Sequence, residues 1–122
     1  MGDPIRALQA REMIKVIKEN DLVASTAAVG AHLYDSLLKL AKTAPGGSKG
    51  IQSLRGKDCG TFIAWDCESP AMRDSFVAKM REKGVNMGGC GERAVRLRPM
   101  LTFEKKHADI FLTAVEQTLA EL

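Results

Sequence analysis

The stretch Gly88-Gly89-Cys90-Gly91-Glu92-Arg93-Ala94-Val95-Arg96-Leu97-Arg98-Pro99 turns on glycines, then becomes a short apolar run that stops at a proline. Alternation with period two puts Val95 and Leu97 on one side of a strand over 94–98 and Arg96 and Arg98 on the other. Arginine grips carboxylates well because its planar fork makes two parallel charge-assisted hydrogen bonds. The arginines therefore suggest a carboxylate site, although spacing alone favours a solvated pair on an open sheet face. The glycine turn has two readings as well. It lets backbone amides approach a ligand, or it meets a loop's need for positive φ. It is neither a dinucleotide fingerprint nor a phosphate-binding loop, since no Gly-Lys-Ser/Thr follows.

Working outward, Val85 to Met87 reads as the strand before the glycines, after a helix that starts at Ser69-Pro70 and ends at Gly84. That helix carries Met72, Phe76, Val77 and Met80 on one face. Ile51–Arg55 and Thr61–Asp66 read as two strands about the turn-forming Gly56–Gly60. Before them, Asp3-Pro4 caps a helix running to Asn20 with Leu8, Met13, Ile14, Val16 and Ile17 at helical spacing. A second helix carries the stripe Val29, Leu33, Leu37 and Leu40, and Pro45-Gly46-Gly47-Ser48 ends it in a loop. Beyond Pro99, Thr102 is the expected cap of a last helix with Ala108, Phe111, Leu112, Val115 and Leu119 inward. The order is two helices, two strands, a helix, two strands and a helix. It predicts an α/β (α+β) fold, a small, largely antiparallel sheet with helices on one face. The two leading helices have wide apolar faces, so the chain reads as part of a larger body.

Composition narrows the function. At 122 residues the chain is expected to be a single domain, 1–122. With net charge +3 and 5% aromatics, it has neither the basic stripe nor the stacking residues of a nucleic-acid binder. No stretch is long or apolar enough for a membrane helix. Cys59, Cys67 and Cys90 form no close pair, which suggests a reducing compartment and buried or inert thiols. With His32 and His107 they match no zinc spacing. Both histidines read as surface or packing residues, Asp66 and Glu68 as a solvated acidic pair, and Met13, Met72, Met80 and Met87 as core filler.

Several of these segments together resemble the C-terminal small domain of class III pyridoxal-phosphate-dependent aminotransferases, and within them the fungal-type branch that uses 4-aminobutyrate. The markers are Met1-Gly2-Asp3-Pro4, Arg55-Gly56, Gly60-Thr61-Phe62, Lys83-Gly84-Val85, Gly88–Gly91 and Arg96-Leu97-Arg98-Pro99-Met100-Leu101. The resemblance covers essentially the whole chain. It implies the small domain of the pyridoxal-phosphate-dependent transferase fold. In it, the arginine that begins Arg-x-x-Pro, here Arg96, binds the α-carboxylate of the substrate. Arg98 has no such role and is expected to be structural or at the surface. The implied reaction moves an amino group from 4-aminobutyrate to 2-oxoglutarate with pyridoxal 5'-phosphate as electron sink.

The same resemblance assigns the Schiff-base lysine and the phosphate site to a large domain that precedes this segment, and no lysine here matches them. The chain is therefore expected to be a fragment, inactive and without cofactor by itself. Its implied partners are that large domain and a second subunit in a homodimer. The alternative is a stand-alone interaction or regulatory module that self-associates through the surface the large domain would cover. A third possibility is an independent carboxylate binder using Arg96. The expected compartment is the cytoplasm, with the mitochondrial matrix as the alternative.

Overall fold

The computed structural model describes residues 2–122; Met1, the first family marker, lies outside them. Helix α1 spans Pro4–Glu19 and starts as its sequence predicts, with Asp3 accepting the Ile5 amide and proline in the first turn. Helix α2 spans Leu22–Thr43 and buries Val29, Leu33 and Leu37. Gly30 belongs to the same buried stripe, and a Cβ there would strike the Gly60 carbonyl. The close approach of that turn to α2 therefore requires glycine. After Pro45 the chain makes one further helical turn, α3 (Gly47–Gly50), where only a loop was expected.

Four short strands follow: β1 (Gln52–Arg55), β2 (Ile63–Asp66), β3 (Gly88–Cys90) and β4 (Ala94–Leu97). They form one sheet in the order β1-β2-β4-β3, antiparallel throughout. Ile63 pairs with Leu97 and Trp65 with Val95, and all four are buried. Their neighbours Ala64, Asp66, Ala94 and Arg96 point to the other, more open face. Helices α4 (Pro70–Glu82) and α5 (Lys105–Glu121) cover the buried face together with α2. The predicted α/β (α+β) fold with helices on one face is what forms.

Two element boundaries and one side chain differ from expectation. The third strand is Gly88–Cys90, not Val85–Met87. Val85 is used to end α4: its amide bonds the Met80 carbonyl and that of Gly84 bonds Arg81, a Schellman closure with Gly84 at φ +87°. Val85 and Met87 thus pack beside the core instead of joining the ladder. The last helix is capped by Glu104, not Thr102, because Met100 to Phe103 first make a turn. Met13, expected in the core, is 62% exposed and lines an open apolar hollow with Val16, Leu22 and Leu101.

Candidate functional site

The β3–β4 hairpin positions the site. Gly88 pairs with Arg96 and Gly89 with Val95, so the edge strand is a ribbon of two glycines beside the arginine strand. Successive residues point to opposite faces. Arg96 lies over Gly88, with its Nε 3.7 Å from where a Cβ would stand. Arg73, from α4, lies over Gly89, where a Cβ would come within 2.6 Å of its Nη1. A guanidinium thus rests at each of two successive glycines.

The two arginines are in opposite electrostatic states. Arg73 uses four of its five N–H donors: Nη1 donates to the carbonyls of Ala94 (2.9 Å) and Cys90 (3.3 Å), Nη2 to that of Gly91 (3.4 Å), and Nε to Asp74 (2.8 Å). Arg96 makes neither an ion pair nor a side-chain hydrogen bond among the described residues, and it is exposed on the strand. It lines a cleft of about 460 Å³ between the hairpin and the start of α5. Leu33, Met87, Phe103, His107 and Phe111 form other parts of the wall. No carboxylate lines the cleft among the described residues, so an incoming anion meets no competitor. An apolar wall raises the worth of a charge-assisted pair by excluding water.

Arg98, expected to be structural or at the surface, is exposed and lines the same cleft. Both arginines share one opening, as their i, i+2 spacing predicts. Cys90 is exposed and belongs instead to a second hollow beside Arg73 and Arg81. Cys59 is also exposed, so burial holds only for Cys67, whose thiol is pushed up to about 11 by desolvation. His107 accepts the Glu104 amide at 3.0 Å and stacks against Phe103, which fixes the cleft's rim as α5 begins. His32 bonds Asp109 at 2.8 Å and so ties α2 to α5. Asp66 is not a merely solvated acid: it is partly buried and holds Arg55 at 3.0 Å and Arg93 at 4.0 Å. No three metal-ligating side chains gather among the described residues, and no helix there is long and apolar enough to cross a membrane.

Arg73 is the residue the sequence did not reveal. A glycine doublet beside a charged strand signals that something lies flat against it.

Solved aminotransferases share this fold of a small antiparallel sheet with helices packed on it. The class-III aminotransferase profile matches residues 1–119, and the chain belongs to that family. Among its relatives is the 4-aminobutyrate aminotransferase of Schizosaccharomyces pombe, 53% identical over 98% of this chain and 24% of the relative. That of Mycosarcoma maydis is 48% identical over 100% of this chain and 24% of the relative. Among solved structures, lysine aminotransferase from M. tuberculosis superposes with a TM-score of 0.81 at 25% identity, covering 90% of this chain and 24% of that one. The chain spans about a quarter of the length of the curated relatives it matches.

The family works with pyridoxal phosphate, which supplies the electron sink for amino transfer. No lysine lines the Arg96 cleft among the described residues.

Proposed function

We propose that this chain is the substrate-carboxylate part of a 4-aminobutyrate aminotransferase. The whole enzyme moves an amino group from 4-aminobutyrate to 2-oxoglutarate, leaving succinate semialdehyde and glutamate. Within it Arg96 binds and orients the α-carboxylate of the oxo acid. A large domain outside these residues holds pyridoxal phosphate, and two such subunits pair. The observation that carries the reading is an unpaired arginine in a carboxylate-free, largely apolar cleft, at the Arg-x-x-Pro position of the family motif.

The test is Arg96→Ala in the whole enzyme. A lost hydrogen bond to a charged group costs about 1.5–3 kcal/mol, so kcat/KM for 2-oxoglutarate should fall roughly tenfold to a hundredfold. Unchanged kinetics for that acid reject the assignment. The second reading, an interaction module, is favoured by one observation, the exposed apolar residues of α1. Three free cysteines fit a reducing compartment, and we place the protein in the cytoplasm, with the mitochondrial matrix as the alternative that cell fractionation would reveal.

A further inference from the structure

The edge strand β3 has little of its own to keep it in place. Gly88 and Gly89 contribute no side chain to either face, and glycine is the residue with most backbone freedom to lose on ordering. Yet this strand is the surface on which Arg96 lies. Opposite it, one guanidinium collects the Cys90, Gly91 and Ala94 carbonyls, which belong to the last pair of the β3–β4 ladder and the turn that follows. Asp74 fixes the remaining edge of the same guanidinium at 2.8 Å. The Arg73 side chain is only 14% exposed, so this is an enclosed cation, bonded on all three nitrogens, on a helix that is itself anchored through Phe76 and Met80.

We infer that Arg73 is a positioning residue for Arg96: by clamping the hairpin end from the helix side, it holds the glycine ribbon flat and thereby sets the aim of Arg96 into the cleft. The inference rests on the reading of Arg96 as the carboxylate-binding arginine. Gly89 is part of the same device, because any side chain there would occupy the space of the Arg73 guanidinium. Lysine cannot replace Arg73, since a single ammonium on a flexible stem does not span three carbonyls in one plane.

The experiment uses the whole holoenzyme with Arg73→Gln, Arg73→Lys, Gly89→Ala and Arg96→Gln. Two readouts are taken: the KM and kcat for 2-oxoglutarate, and the calorimetric Kd for glutarate, a dicarboxylate that binds without reacting. Arg73→Gln and Arg73→Lys are expected to raise both KM and Kd about tenfold with kcat within twofold. Gly89→Ala should do the same, and the Gly89→Ala/Arg73→Gln double variant should be no worse than either alone, because both remove one interaction. A lowered Tm with KM and Kd unchanged overturns the inference and leaves Arg73 a stabilising residue only. If Arg73→Gln does not fold, Gly89→Ala and Arg73→Lys decide by the same criterion. Arg96→Gln separates the two levels. If it leaves the glutarate Kd unchanged, the proposed function itself is wrong; if it weakens glutarate while the Arg73 and Gly89 variants do not, only the positioning role is wrong.

Discussion

Helices α1 and α5 look alike in the sequence and meet opposite fates. Each is about four to five turns long, 16 and 17 residues, with apolar residues at helical spacing. Helix α5 buries Ala108, Phe111, Ala114, Val115, Thr118 and Leu119 against the sheet and its neighbouring helices. Helix α1 buries nothing, and Ile5, Leu8, Met13 and Ile14 are all more than half exposed. An amphipathic pattern thus records that a helix expects a partner, and leaves open where that partner lies. For α5 the partner is in this chain. For α1 it is not among the described residues, as expected of a segment taken from a larger body.

The largest expected effect sharpens the α5 side. Leu119 is fully buried and so close to α3 that a Cβ on Gly50 would strike its side chain. Leu119→Ala leaves a cavity that α3 cannot easily fill and is expected to cost about 2–5 kcal/mol. Urea unfolding of the two proteins measures this. A cost below about 1 kcal/mol would mean that the contact between α5 and α3 is looser than its geometry.

A smaller effect comes from Cys67, in the same core. Its Sγ donates to the Gly50 carbonyl at 3.5 Å, and burial holds its ionisation up to about 11 from an ordinary 9.0. The folded state therefore keeps a proton that the unfolded state releases above pH 9. The stabilisation is fully present below pH 9 and is lost as pH rises toward 11. The slope should account for on the order of 1 kcal/mol across that window and should vanish in Cys67→Ala. Thiol labelling of the native protein offers a parallel check: Cys59 and Cys90 should react fast and Cys67 only on unfolding.

The same contrast explains what was legible in the sequence. Order, strand count and the one-sided sheet were visible because period-two and helical patterns report burial directly, as in Val95 and Leu97 or Leu33 and Leu37. Val85–Met87 misled because Val85 and Met87 alternate as in a strand, whereas Gly84 in the left-handed region commits Val85 to closing the helix. Asp66 misled because its arginines come from β1 and the β3–β4 turn, at distances in sequence that no local pattern encodes. At the site, Arg96 could be picked out by motif and alternation. Arg73 could not, since its partners are backbone carbonyls, which every residue has.

The smallest expected effect lies on α1 and is the one best able to break the comparison. Ile14 is 53% exposed and Leu8 51%. Ile14→Ser and Leu8→Ser should therefore change the unfolding free energy of this chain by no more than about 0.5 kcal/mol, the range of ordinary surface substitutions. Their effect should appear in association instead. Sedimentation of the unaltered chain at high concentration should show self-association through the exposed apolar side of α1, which the serine variants weaken. Two results would break the contrast with α5. A loss of stability comparable to that of Leu119→Ala would mean that α1 folds back onto the chain in solution. A clean monomer at every concentration would mean that the apolar residues of α1 do not drive the chain to pair with itself, and that they recognise only a surface of different shape.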